Sequence, residues 1–240
     1  MAIGEQGGEG DSQPRTSGER LEGGEFLLRL SHDLRASLRA IRVNAELLAK
    51  GLKTGQTANF PQYTSVIVAD TARIDTLADA LAAYSIASQI DPASFVVISA
   101  EMLLRKVLSK LAQDLRDAGA SVTYGSLPRL RCEPDQIGRL FEQLIRNVLM
   151  HRQAAPPKIH IGADQQAGAW VLSVRDNGPG IEAGYLERIF EPFERLRGQQ
   201  SPGPGLGLTI SREIVRRHGG RIWVESQAGS GACFLFTIPG

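Results

Sequence analysis

Cysteine is scarce in this chain, and the scarcity narrows the fold. The two thiols, Cys132 and Cys233, lie about a hundred positions apart with no Cys-x-x-Cys pair or Cys/His cluster, so neither a disulfide framework nor a zinc site is indicated. Long apolar runs are missing too. Nothing approaches the roughly 18 residues of a membrane span, and the N-terminus lacks the charged-then-apolar plan of a signal peptide. A surplus of one charge is also absent: 27 Lys plus Arg face 26 Asp plus Glu, which removes bulk attraction to nucleic acid or an anionic membrane. The expectation is a cytoplasmic chain in a reducing compartment, with no nucleic acid partner and no direct membrane insertion. What is present is ordinary globular composition, 42% hydrophobic and 22% charged over 240 residues. That is enough for one large domain or two small ones with a real core.

Residues 1–24 hold seven of the 26 glycines and few apolar side chains, which predicts a disordered tail. From Phe26 heptads take over. Leu27, Leu34, Ile41 and Leu48 recur every seven, with Ser31, Leu38, Ala45 and Leu52 four residues after each, the signature of a long amphipathic helix. Gly51, Thr54, Gly55 and Asn59-Phe60-Pro61 are expected to break it. A second ladder runs Tyr63, Asp70, Leu77, Tyr84, with Ile67, Ile74, Leu81 and Ser88 four residues after each. Two such helices make a hairpin over residues 25–90, and pairing two hairpins into a four-helix bundle covers both seams, so a homodimer is predicted.

Beyond Asp91-Pro92 the pattern is mixed. Phe95–Ser99, Ser121–Tyr124, Arg129–Cys132, Lys158–Ile161, Trp170–Val174, Arg221–Val224 and Cys233–Ile238 read as strands. Glu101–Ala118, Pro134 to about Arg152 and Leu208–His218 read as helices. The fold class expected is α+β, with residues 91–240 as an α/β sandwich of short antiparallel strands and helices grouped on one face.

Two glycine clusters carry possible chemistry. Asp176-Asn177-Gly178-Pro179-Gly180 follows a strand, and Gly203-Pro204-Gly205-Leu206-Gly207 precedes a helix. Glycines there let backbone N–H groups approach phosphate at the positive end of a helix dipole, though either cluster alone also fits a surface turn. Asn147 lies on the helix that buries Ile137, Phe141, Leu144, Ile145 and Val148. Taken by itself its amide reads first as a core hydrogen-bonder, and it is also a suitable oxygen ligand to Mg²⁺. His32 sits between Ser31 and Asp33 on the first helix. A neutral imidazole is a competent nucleophile toward a phosphoryl group, and Asp33 is able to accept or orient its ring proton, while the bland alternative is a surface histidine.

In this order the segments resemble a bacterial two-component sensor histidine kinase, especially of the phytochrome-like branch. Ser31-His32-Asp33-Leu34-Arg35 resembles the phosphoacceptor box, and Leu144-Ile145-Arg146-Asn147 the N box. Asp176 to Gly180 and Gly203 to Leu208 resemble the two glycine boxes, and Phe190-Glu191-Pro192-Phe193 the F box. The resemblance implies a dimerisation and histidine phosphotransfer hairpin followed by a Bergerat-type ATP-binding domain. It implies that Asp176 meets the adenine amino group, that Asn147 holds Mg²⁺, and that Gly178, Gly180, Gly203, Gly205, Gly207 and Leu208 line ATP. His32, with Asp33, would take the γ-phosphoryl and pass it to an aspartate of a response regulator receiver domain. An upstream sensor domain or partner would supply the signal.

Some residues depart from the family pattern. Gln143 stands where the family usually has asparagine and gyrase-like ATPases a catalytic glutamate; a neutral amide is no general base, which disfavours simple ATP hydrolysis. Met150 replaces a lysine near the phosphates, with Arg146 and Arg152 as the nearby cations to compensate. Ser37 replaces a helix-bending proline, and Ala36 a residue that orients water in phosphatase-competent members, so little phosphatase activity is predicted. These departures motivate a second class of function, a dimeric signalling scaffold with a weak nucleotide site.

Overall fold

The computed structural model describes residues 17–166, 168–194 and 205–239. Helix α1 spans Ser17–Thr54 and α2 spans Phe60–Ser88. Their contacts pair Phe26 with Tyr84, Asp33 with Arg73 and Gly51 with Phe60, so they run antiparallel as a hairpin. The helix begins at Ser17, inside the segment expected to be disordered, and residues 1–16 of that segment lie outside the described residues. Nor does α1 break at Gly51. A Cβ there would stand 2.6 Å from the Phe60 ring, so the glycine stays helical and lets the ring close against it. The helix ends instead at Thr54, before Gly55 with φ +71, a conformation glycine adopts without a Cβ penalty.

The seam of α2 follows its heptads, with Leu77 fully buried. On α1 the face turned to α2 is Phe26, Leu30, Leu34, Ser37, Ile41, Asn44 and Leu48. The expected second line is turned away: Leu38 is 56% exposed and Leu52 71%. A helix turns about 100° per residue, so a stripe wide enough for two partners cannot have both of its edges facing one.

The remainder is a mixed sheet with helices against it. Strand β1, Val96–Ser99, leads into α3, Ala100–Lys110, and then α4, Ala112–Asp117. The expected single helix over 101–118 is thus interrupted at Leu111. Strands β2, Ser121–Tyr124, and β3, Arg129–Cys132, precede α5, Pro134–Met150. Glu133 caps α5 by accepting from the Gln136 N–H at 2.7 Å, with Pro134 in the first turn where no N–H is missed. Then follow β4, Lys158–Gln166, β5, Ala169–Asp176, α6, Gly207–Arg217, β6, Ile222–Ser226, and β7, Ala232–Pro239.

Strands β1 and β3 form their own antiparallel ribbon, and the main sheet has the order β2-β4-β5-β7-β6. One pairing differs from the all-antiparallel expectation: β2 runs parallel to β4, with β3 and α5 forming the long crossover that a parallel pair requires. Alternate residues of the sheet, Ile159, Ile161, Leu172, Val174, Phe234 and Phe236, are buried on one face. Phe141 of α5 meets Phe236 edge-on at 5.9 Å. Helix α2 also packs against α6, which sets the hairpin beside the sandwich.

Candidate functional site

A cavity of about 920 Å³ opens between α5, the loop after β5, the start of α6 and one face of α2. Helix α5 presents Arg139, Gln143 and Asn147 to it at four-residue steps, one side chain per turn on a single face. The opposite face of α5 buries Ile137, Phe141, Leu144, Ile145 and Val148, which locks the rotation of the helix. Asn147 is half-buried, and its amide has no hydrogen-bond partner among the described residues. Met150, at the far end of the same helix, also lines the cavity.

Asp176 closes one end. Its Oδ1 accepts from the Gly178 N–H at 2.7 Å and the Ala232 N–H at 3.2 Å, which leaves Oδ2 for the cavity. Burial pushes this carboxyl above its ordinary value, against the two N–H groups that favour the ionised form. The loop is built without room to spare. A Cβ on Gly178 would sit 2.8 Å from Asp176 Oδ1, and one on Gly180, at φ +70, would sit 2.0 Å from the Gln227 carbonyl oxygen. The Gly229 N–H donates to Pro179 O, and Ser226 Oγ accepts from the Ile181 N–H while donating to Gly231 O.

Gly205, Leu206, Gly207 and Leu208 form the facing wall at the N-terminus of α6. That end comes close to α5, since a Cβ on Gly207 would lie 2.8 Å from Gln143 Oε1. Gly203, the remaining sequence-predicted member, lies outside the described residues. Of the cations suggested as substitutes for a lysine at Met150, Arg146 is tied to Glu142 at 3.0 Å and Asp114 at 2.9 Å. Arg152 donates to Leu149 O and is no part of the cavity wall. Burial opposes ionisation of Glu142, but Lys110 and Arg146 outweigh it and hold the carboxyl below the usual range. Arg139 escaped the sequence reading, although extending the Asn147–Gln143 face by one turn leads to it. Its Nη1 is buried without a hydrogen bond, which costs about 1–3 kcal/mol or more for a charged group.

His32 does not line the cavity. Its side chain is 79% exposed, with Nδ1 3.4 Å from Asp33 Oδ1. The other oxygen, Asp33 Oδ2, accepts from Arg73 Nη2 on α2 at 2.8 Å. This bond aims the carboxylate and was invisible in the sequence, because it depends on the register of the two helices. Arg73 stands one turn before Thr76, which lines the cavity with Asp79.

Residues 132–240 match the family of histidine kinase-, DNA gyrase B- and HSP90-like ATPases. Cyanobacterial phytochrome A of a Nostoc species is 37% identical over 218 residues, 90% of this chain and 28% of that protein. The alginate biosynthesis sensor protein KinB of Pseudomonas aeruginosa is 31% identical over 220 residues, 90% of this chain and 36% of that protein. The chain therefore spans about a third of the length of these relatives. Among solved structures, the catalytic domain of histidine kinase ThkA aligns with a TM-score of 0.53 at 27% identity, covering 61% of this chain and 95% of that one. ThkA in complex with its response regulator TrrA aligns at 0.66 with 24% identity, covering 92% of this chain and 63% of that one, a likeness of fold. The chain belongs to the two-component sensor histidine kinases, and residues 132–240 are its ATPase-family domain.

Proposed function

We propose that this chain is an ATP-dependent protein-histidine kinase that phosphorylates itself on His32 and passes the phosphoryl group to an aspartate of a response regulator receiver domain. One observation carries the reading: the cavity wall continues onto α2 at Thr76, a single turn from the Arg73 that holds Asp33 beside His32. Asp176 Oδ2 is the acceptor for the adenine amino group. Gly178 and Gly180 keep the loop low enough for the base to enter, and Gly205, Gly207 and Leu208 flank the phosphates at the N-terminus of α6, where the helix dipole favours anions. Gly203 belongs to the same segment by sequence.

Asn147 suits Mg²⁺. Its amide oxygen is unengaged, and no cluster of three or more His, Cys, Asp or Glu that could hold a metal occurs among the described residues. The Asn147 amide oxygen would hold the ion, which when bound would supply neutralisation of phosphate charge. The chain's own part is positional. With Nδ1 turned to Asp33, Nε2 is the free nucleophile. Its lone pair forms the N–P bond, the bond from phosphorus to the β–γ bridging oxygen breaks, and ADP leaves. The Nδ1 proton passes to Asp33.

The hairpin, residues 25–90, is the dimerisation and phosphotransfer unit, and residues 91–240 are the ATP-binding unit. Leu27, Leu38 and Leu52, each more than half exposed on α1, support a four-helix homodimer that would cover them. The relatives' greater length supports an upstream sensor domain or partner. Among the described residues no helix is long and apolar enough to cross a membrane.

The test is incubation with γ-labelled ATP and Mg²⁺, scoring acid-labile label on wild type, His32→Gln and Asn147→Ala. Label on wild type alone supports the kinase and both residues. Measurable ATP binding with label that survives in His32→Gln would remove His32 as acceptor. Absence of both label and ATP binding in the wild type would leave the scaffold.

A further inference from the structure

Two of the buried side-chain polar atoms without a hydrogen-bond partner, Gln136 Oε1 and Arg139 Nη1, belong to residues of the cavity wall. Gln136 offers an acceptor, of no use to an anion. Arg139 offers a guanidinium, whose donors form a fork that fits a phosphate. Buried polar atoms are nearly always paired, and an unpaired one in a cavity wall calls for a partner from the cavity.

The other Lys and Arg side chains described along the wall are already engaged. Lys106 lies 3.5 Å from Asp135, Lys110 2.7 Å from Glu142, and Arg146 3.0 Å from Glu142 and 2.9 Å from Asp114. Arg139 has no ion pair among the described residues. Among the Lys and Arg side chains described along the wall it is therefore the one without an ion pair, in a chain whose Met150 offers a thioether to the same cavity.

Its place on α5 says which part of an anion it would meet. Asp176 fixes the adenine end near the C-terminal turns of α5. From there the single face runs through Asn147 and Gln143, where the start of α6 closes in, to Arg139 about 6 Å further along the axis. A polyphosphate leaving Asn147 along this face reaches Arg139 with its last group.

We infer that Arg139 binds the terminal phosphate of the nucleotide, replacing from the N-terminal half of α5 the cation that Met150 does not supply, and so sets the preference for triphosphate over diphosphate. The inference rests on the nucleotide reading of the cavity and adds to it a residue and a selectivity.

The test measures equilibrium binding of a non-hydrolysable β,γ-imido ATP analogue, ADP and adenosine, each with Mg²⁺, to wild type, Arg139→Gln and Arg139→Lys, with thermal unfolding of each variant as a check on folding. Loss of one charge-assisted contact is expected to weaken the triphosphate analogue about tenfold or more in Arg139→Gln. ADP and adenosine should stay within about twofold of wild type, and Arg139→Lys should fall between. Adding Met150→Lys to Arg139→Gln should recover part of the triphosphate affinity. A folded Arg139→Gln that keeps the wild-type ratio of triphosphate to diphosphate affinity would overturn the assignment while leaving the nucleotide site intact. Failure of the wild type to bind any of the three ligands would overturn the nucleotide reading, and the role of Arg139 with it.

Discussion

Gly180→Ala is the substitution whose cost the structure defines most completely. At φ +70 an alanine pays roughly 1–2 kcal/mol for the left-handed conformation alone. Its Cβ would also stand 2.0 Å from Gln227 O and 2.8 Å from the carbonyl carbon, against backbone that cannot swing aside as a side-chain tip would. Relieving this contact pulls the 226–231 turn from the loop after β5. The bonds at risk are Gly229 N–H to Pro179 O and Ile181 N–H to Ser226 Oγ, about 0.5–1.5 kcal/mol each. The expected total is about 2–5 kcal/mol. Gly229→Ala is the matched control, at φ +83 with nothing within 4 Å of its Cβ, so only the torsional part applies. Both tryptophans of the chain, Trp170 and Trp223, lie on the sheet concerned, so their fluorescence in urea reports this region and not the hairpin. Gly180→Ala should unfold about 1–3 kcal/mol more easily than Gly229→Ala. Equal stabilities for the two variants would refute the claim that this loop and turn are held by direct backbone contact.

Arg73→Ala removes an ion pair that is half-exposed on the arginine side, so stability should change by less than about 1 kcal/mol, whereas the initial rate of His32 labelling should fall roughly tenfold; an unchanged rate would remove Arg73 as the residue that aims Asp33. His218 is stacked 4.6 Å from Phe95; its Nε2 accepts from the Glu133 N–H, so Nδ1 carries the proton donated to Ile214 O. Burial pushes its pKa below the ordinary 6.5, against the Ile214 carbonyl and Glu133, so the unfolded chain takes up the proton first. Stability should be full above that value and fall as pH drops toward the folded value, a slope that urea titrations should find flattened in His218→Gln. Leu38→Glu places a charge on the exposed row of α1 and should weaken the proposed homodimer, read in sedimentation as a shift toward monomer relative to wild type; a dimer of undiminished affinity would move the interface elsewhere.

The two glycine boxes led directly to the cavity because each is a backbone requirement. Only glycine fits at Gly180, and Asp176 must end a strand for the Gly178 and Ala232 N–H groups to reach it. Helix periodicity likewise located α2 and α5, whose buried faces follow one repeat. What stayed hidden depends on relations between segments. Alternation of apolar residues is the same in either direction along a strand, so the parallel pairing of β2 with β4 left no mark. The partner of Asp33 lies 40 residues away on a helix of undetermined register. On α1 a broad apolar stripe admits several seams, and which edge turns inward is decided by contacts with α2 and the F box. Arg139 was legible in principle, four residues before Gln143, but a lone arginine on a helix carries no signal until its surroundings are known to leave it unpaired.

Phe193 shows how these inter-segment relations reach the cavity. It is the one described non-glycine residue with positive φ, at 64°, a conformation that costs on the order of 1–3 kcal/mol. Its N–H donates to Gly205 O at 3.1 Å, which ties it to a residue of the cavity wall. Its ring lies 6.3 Å from Phe26 of α1, itself stacked 4.1 Å from Tyr84 of α2, while Arg29 Nη1 donates to Pro192 O. Aromatic pairs of this kind contribute about 0.5–1.5 kcal/mol each beyond their buried area. The strain at Phe193 and the stacking that offsets it are therefore of the same size, so the backbone that holds Gly205 at the cavity is kept in place by the hairpin as much as by its own domain.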